Sequence, residues 1–249
     1  MTQDPFRQVV HALEGFDPGS EVGALRLDPA RSDRTGIPEV VLAGHKTTEQ
    51  VATSLTRLAD AQGRSLASRV RPDQATELPS LIPAGYTLRL DPVAATAVVV
   101  APEHGEPQPT GGRVAIIAAG ASDLPIATEA ATMAAEMGTD VRVVTDVGVA
   151  GLHRLVRPLR DLMDWDPHAI VVAAGMDGAL PSVIAGLVRV PVIGLPVSVG
   201  YGYGGDGTGA LMSMLQSCSP GLAVVNIDNG IGAGSMAALI ANRAALGAG

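Results

Sequence analysis

From residue 113 onward, apolar residues gather into short unbroken runs: "RVAIIAAG" (113–120), "VRVVT" (141–145), "AIVVAAG" (169–175), "VPVIGLP" (190–196) and "LAVVNID" (222–228). Runs of this length without polar alternation fit strands buried on both faces of a sheet. Between them lie segments of helical character, such as "DLPIATEAATMAAEMG", which closes on the plausible cap Gly138. Strands alternating with helices predict an α/β fold with a parallel sheet covered by helices on both faces.

The first hundred residues have a different texture. They carry most of the charge, and "GIPEVVLAG" (36–44) reads as an extended segment. It is followed by Thr47-Thr48 with Glu49 as a helix start, and by a helical period through Val51, Leu55 and Leu58. The strongest apolar run, "DPVAATAVVVAP" (91–102), is bounded by prolines. The stretch "APEHGEPQPTGG" (101–112) is rich in Pro, Gly and Glu and reads as a linker. A small α+β domain over 1–108 and an α/β domain over 109–249 are therefore expected.

Composition narrows the function classes. Hydrophobic residues make up 47% of the 249 but aromatics only 2%, so the core must be built from small and branched aliphatic side chains with close backbone packing; the 30 glycines fit that demand. No run reaches the ~18 apolar residues of a membrane span, and "MTQDPFRQVVHALEGF" lacks the apolar stretch of a signal peptide. The expected setting is cytoplasmic, without a membrane partner. A net charge of −8 leaves no basic footprint for nucleic acid. One cysteine excludes an internal disulfide, and no zinc-spaced His/Cys cluster occurs.

In parallel α/β sheets ligands bind beyond the carboxyl ends of the strands. After the first run comes "GASDLP", where Gly120 permits tight backbone and Ser122 or Asp123 can cap a helix whose free N–H groups suit a phosphate. After the second comes "DVGVAGLHRLVRPLRD" with Asp146, His153 and Arg154, and after the third "AGMDGALPSVI", with Asp177 between Gly175-Met176 and Gly178. The fourth is followed by the glycine-rich "VSVGYGYGGDGTGAL" with Asp206, a loop expected to be ordered by a ligand, and the fifth by Asp228 and Asn229. Glycine beside polar groups at four of five strand ends marks a site.

The single cysteine, Cys218, precedes the last run, so in one subunit it lies at the amino edge, opposite that crevice. Either it is packed as a small hydrophobe, or another subunit's crevice receives it. The second alternative requires an oligomer.

Together "GRVAIIAAGASDLPIATEAA", "DVGVAGLHRL", "VVAAGMDGALPSVIAGLV", "VPVIGLPVSVGYG" and "CSPGLAVVNIDNGIGAGSMAA" resemble the LarB family of nickel-pincer cofactor biosynthesis proteins of the lactate racemase system. The C-terminal half of that family is similar to the phosphoribosylaminoimidazole carboxylases of purine synthesis. The N-terminal "LDPARSDRTGIPEVVLAGHKTTEQV" also matches the family and is lacking in the purine carboxylases.

The resemblance implies carboxylation of the pyridinium C5 of nicotinic acid adenine dinucleotide and cleavage of its phosphoanhydride, giving pyridinium-3,5-biscarboxylic acid mononucleotide and AMP. It also implies Mg2+, CO2 or bicarbonate as co-substrate, and a homo-octamer in which the "LQSCSPG" loop lies near a neighbour's site. Cys218 would be the nucleophile and Asp177 the base, where the family often has glutamate. Gly120, Ser122 and Asp123 match the phosphate-and-ribose loop. His153, Arg154, Gly175, Met176 and Gly178 are further substrate candidates, and Asp146 and Asp206 candidates for magnesium. Two other functions compete: a carboxylase or mutase acting on aminoimidazole ribonucleotide, and a non-catalytic nucleotide-binding module.

Overall fold

The computed structural model describes residues 21–22 and 25–247. The chain divides into two compact units, one ending at Gly105 and one beginning at Glu106, with Asp91–Thr96 grouped with the second.

In the first unit, the short strands β1 (Glu21–Val22) and β2 (Leu25–Arg26) pair antiparallel, and a single turn of helix, α1 (Arg31–Thr35), follows. A four-stranded sheet is then built from β3 (Val40–Leu42), β4 (Arg64–Ser68), β5 (Thr87–Asp91) and β6 (Thr96–Val100), in the order β3-β4-β6-β5. The "GIPEVVLAG" stretch supplies β3, and the "DPVAATAVVVAP" run supplies β6. Helix α2 (Thr48–Gln62) starts at Thr47, whose hydroxyl accepts the Gln50 N–H while the Gln50 side chain returns to the Thr47 N–H. The capping box is thus closed by Gln50 rather than Glu49. Its Val51, Leu55 and Leu58 are buried as the period requires, packing with Leu78 of α3 (Pro72–Leu81).

The second unit holds a five-stranded sheet of β7 (Arg113–Ala118), β8 (Asp140–Val144), β9 (Ala169–Ala174), β10 (Val192–Pro196) and β11 (Leu222–Val224). Their order is β11-β10-β9-β7-β8, and every pair is parallel. Five helices connect or follow them: α4 (Leu124–Glu136), α5 (His153–Trp165), α6 (Leu180–Ala185), α7 (Thr208–Leu215) and α8 (Gly230–Gly247). This is the α/β fold with a covered parallel sheet that the alternating runs predict.

Burial separates the strands more sharply than the sequence does. Strands β9 and β10 are buried throughout and β7 from its second residue, whereas β8 and β11 are half-buried or exposed. The latter two are the sheet edges. The expectation that all five runs are buried on both faces therefore fails at β8 and β11, because an edge strand has one neighbour and less helix cover. β11 is also shorter than "LAVVNID", since Asn226–Asp228 turn into the site.

Alternate residues of β9 face opposite layers. Ile170, Val172 and Ala174 join Leu155 and Leu162 of α5, Leu180 and Ile184 of α6, and Met214 of α7. Each such aliphatic side chain contributes roughly 1.5–3 kcal/mol on burial. Helices α4 and α8 pack against each other and on the sheet. Their approach needs glycine: a Cβ on Gly234 would stand 2.3 Å from the Ala130 carbonyl oxygen, and one on Gly230 would strike the Glu129 carboxylate. Among the described residues no helix is long and apolar enough to cross a membrane.

Gly234→Ala is expected to lower stability by about 1–3 kcal/mol through overpacking, although alanine favours an isolated helix by ~1 kcal/mol. Gly247→Ala, where nothing lies within 4 Å of the added carbon, is expected to be neutral. Urea midpoints of the two variants check the contrast.

Candidate functional site

The chain leaves β7 toward β8 and leaves β9 toward β10, so neighbouring strands β7 and β9 part at their carboxyl ends and open a crevice. The loops that meet there are Gly120–Asp123 and Gly175–Ala179. Asp123 joins them. Its carboxylate accepts the Gly120 N–H at 2.8 Å and the Gly175 N–H at 2.9 Å, and the residue is only 5% exposed. Burial pushes its pKa up, a shift that the two N–H bonds oppose. Asp123 thus does not cap α4, which begins without a side-chain cap bond. Ser122 stays exposed beside it.

Gly175 is glycine because of close approach: a Cβ there would lie 2.2 Å from the Val199 carbonyl oxygen. Met176 follows with φ +51°, a left-handed conformation that costs a non-glycine residue roughly 1–2 kcal/mol. Its N–H donates to the Val199 carbonyl at 3.2 Å. The glycine-rich loop after β10 stacks on this peptide, since a Cβ on Gly204 would come within 2.7 Å of the Met176 carbonyl oxygen. Backbone packing thus seats that loop on the Met176 peptide. Gly178, at φ +59°, packs as closely on the Ala210 carbonyl.

Asp177 is exposed, and its carboxylate accepts the Ala179 N–H at 3.3 Å. Further along the rim, Asp228 accepts the Ser198 N–H at 2.8 Å and donates its own N–H to the Pro196 carbonyl at 2.9 Å. Ser198 and Val199 have no chemical signature in sequence. Their part in the rim arises from tertiary pairing alone.

After β8, Asp146 (φ +58°) pairs with Arg154 at 2.6 Å, and His153 is exposed at the first position of α5. Asp206, after β10, accepts the Thr208 N–H at 2.9 Å, and Thr208 holds its carboxyl below the usual range. Strands β8 and β10 are three inter-strand steps apart, about 14 Å, so Asp146 and Asp206 do not start from one place. Asp146 is already neutralised, and no group of three or more His, Cys, Asp or Glu that could hold a metal ion exists among the described residues. The carboxylates present do not fit a protein-built magnesium site.

Cys218 is exposed and so is not packed in the core of its own protomer. It lies in the loop before β11, where the Gly221 carbonyl accepts the Val192 N–H and both strands begin. Two serines fix this loop to α6: the Ser182 hydroxyl donates to Ser217 Oγ, and the Ser219 hydroxyl donates to the Ser182 carbonyl, both at 2.8 Å. Ser182 lies five residues after Asp177, in the first turn of α6. One protomer therefore brings together Gly120, Ser122, Asp123, Gly175, Met176, Asp177 and Gly178. The hydrogen bonds and close approaches named for these residues do not include Cys218.

Comparison with known proteins follows the division of the chain. The AIR carboxylase family model matches residues 113–246, and the LarB/PurE-like N-terminal domain model matches residues 20–101. An uncharacterized protein of Methanocaldococcus jannaschii is 40% identical over 219 residues, covering 87% of this chain and 84% of its own. The N5-carboxyaminoimidazole ribonucleotide mutase of the same organism is 33% identical over 129 residues, which is 51% of this chain and 75% of the mutase. That of Thermotoga maritima is 32% identical over 131 residues, covering 51% and 74%.

The Asp146–Arg154 pair is solvent-exposed, with side chains 62% and 40% accessible, so it contributes about 0–1 kcal/mol. Arg154→Met is expected to leave the thermal midpoint within a few degrees of the unmodified protein. A loss of ligand affinity in that variant, read by calorimetry, then reports on the crevice and not on folding.

Proposed function

We infer the activity from one premise: the chain belongs to the AIR carboxylase family, with a LarB/PurE-like N-terminal domain preceding the carboxylase domain. Within that family of carboxylases and mutases, we propose that it carboxylates the pyridinium C5 of nicotinic acid adenine dinucleotide and hydrolyses the phosphoanhydride, releasing AMP and the dicarboxylated mononucleotide. The observation that carries this reading is the exposure of Cys218. A thiol packed in the core would have no access to any ring.

The chemistry needs a nucleophile because a pyridinium carbon does not attack CO2. Addition of the Cys218 thiolate at C4 forms a C–S bond and leaves a 1,4-dihydropyridine whose enamine carbon, C5, is electron-rich. C5 attacks CO2, forming the new C–C bond. Asp177 takes the proton from C5, and expulsion of the thiolate breaks the C–S bond and restores the aromatic cation. This is covalent catalysis with a transient adduct. The cationic ring favours the thiolate beside it, and the exposed Asp177 carboxylate suits a base at the mouth of the crevice.

The other residues take subordinate parts. Gly120 and Ser122 start the loop that receives phosphate and ribose, and the close backbone at Gly175, Met176 and Gly178 admits the flat ring. His153 and Arg154 stand at the β8 edge of the same rim. Magnesium, if it enters with the dinucleotide phosphates, is held without a preformed protein cage. In this reading the thiolate, carried before β11, comes to the Asp177 crevice from a neighbouring protomer, and the protein works as a homo-oligomer of the octameric type that the resemblance implies. Met212 and Leu215, about two-thirds exposed on the helix that leads to Cys218, supply apolar surface for such a contact.

A second reading, an aminoimidazole ribonucleotide carboxylase or mutase, is favoured by the likeness to the two mutases. That likeness spans half of the chain and leaves the N-terminal domain without a role.

Two inactive variants test the proposal together. Cys218→Ala and Asp177→Asn are each expected to bind the dinucleotide and release no AMP. Unfolded and refolded as a mixture, they are expected to recover about a quarter of the activity, because that share of crevices receives both intact groups. Full activity of Cys218→Ala alone, or no recovery on mixing, contradicts a sulfur supplied in trans.

A further inference from the structure

We propose that Tyr201, with Val199 and Met176, forms an apolar platform on which the adenine base of the dinucleotide stacks. The identity of the ligand rests on the activity proposed above, while the platform as a seat for adenine is tested apart from it.

Aromatic side chains are scarce, 2% of the sequence. Two of those described are engaged within the protein: the Tyr86 hydroxyl donates to the Asp60 carboxylate, and the Arg142 guanidinium lies over the Trp165 ring, 4.5 Å from its centroid. Tyr201 differs, being 78% exposed on the loop after β10. Its backbone is extended (φ −146°, ψ 174°), and nothing lies within 4 Å of where a Cβ on the next residue, Gly202, would stand. The space beside it is open.

Val199 and Met176 extend the patch. They are 46% and 42% exposed, and the Met176 N–H donates to the Val199 carbonyl at 3.2 Å, which fixes the two side by side. The chain on either side of Tyr201 touches the same peptide: a Cβ on Gly200 would stand 3.5 Å from the Met176 nitrogen, and one on Gly204 2.7 Å from its carbonyl oxygen. Apolar faces thus gather at a rim otherwise made of glycine and carboxylates.

Position selects the ring. In the proposed reading the pyridinium lies at Asp177 and phosphate at the Gly120–Ser122 loop, and a cationic ring is drawn more to a full carboxylate charge than to the face of a phenol. Adenine remains for the platform. A Cβ on Gly175 would lie 3.2 Å from the Asp123 carboxylate and 2.2 Å from the Val199 carbonyl, so the phosphate loop and the platform meet at one residue. Their strands, β7 and β10, are two inter-strand steps apart, about 10 Å, a span that one ribose and its base cover. A neutral purine has no charge to be paired there, and its face suits an aromatic side chain.

Calorimetric titration of the full-length protein with AMP and with nicotinic acid mononucleotide is the test. Tyr201→Ala should weaken AMP binding at least about fivefold and leave nicotinic acid mononucleotide, which lacks adenine, within about twofold of its usual affinity. Tyr201→Phe should recover the AMP affinity, because a ring face and not a hydroxyl is needed. Leu246→Ala, as exposed near the end of α8, should change neither. Equal AMP affinity in Tyr201→Ala and the unmodified protein, or no AMP binding by either, overturns the platform. A loss of nicotinic acid mononucleotide binding, by itself or with that of AMP, overturns the assignment to adenine. A changed oligomer mass in Tyr201→Ala with AMP affinity intact marks a contact between protomers instead. If AMP binds through Tyr201 and the unmodified protein leaves the dinucleotide unconverted, the activity proposed above fails and the platform stands.

Discussion

A side chain at residue 175 would place its first carbon 2.2 Å from the Val199 carbonyl oxygen, and one at residue 204 would stand 2.7 Å from that of Met176. The crevice depends on this bare backbone. Only where side chains are missing can three strand-end loops come near enough for the Asp123 and Asp228 carboxylates to bridge them through peptide N–H groups. The same economy runs through the rest of the unit, where Gly230 and Gly234 let α8 settle on α4. With aromatics at 2% of the sequence, the density of the interior comes from close backbone approach and not from large rings.

Much of this was legible beforehand. Short apolar runs between helical segments gave the parallel sheet, and the strand-end rule then located Gly120, Ser122, Asp123 and the "GMDG" loop without any knowledge of strand order. The order itself was not legible. Nothing in "VRVVT" says that β8 lies at an edge with exposed residues, while "AIVVAAG" lies near the centre. Helix α3 carries two prolines, Pro72 and Pro79, which obscure a helical pattern, although the first sits in the opening turn, where a missing N–H costs nothing. Asp123 misled in a different way. A short acidic residue at a helix start reads as a cap, and only the pairing of β7 with β9 turns it toward Gly175.

Cys218 shows the same limit from the other side. Its place before β11 set it at the amino edge, and its exposure leaves it free to meet another molecule. On the proposed reading, the separation of nucleophile from base within one protomer has a chemical use. An isolated chain then carries a thiol and an acidic crevice that never meet, so the adduct chemistry is confined to the assembled protein. Ser182, Ser217 and Ser219 hold the cysteine loop against α6, giving the sulfur a defined place on the surface that a partner can read.

The central claim is that a thiol on one protomer makes a pyridinium ring nucleophilic enough to capture CO2. It is tested most directly by incubating the full-length protein with nicotinic acid adenine dinucleotide, magnesium and carbon-13 bicarbonate, and reading the products by mass spectrometry. The account predicts AMP together with a mononucleotide bearing one labelled carboxyl group on its ring. Labelled carboxylation of aminoimidazole ribonucleotide, with the dinucleotide left untouched, would contradict it.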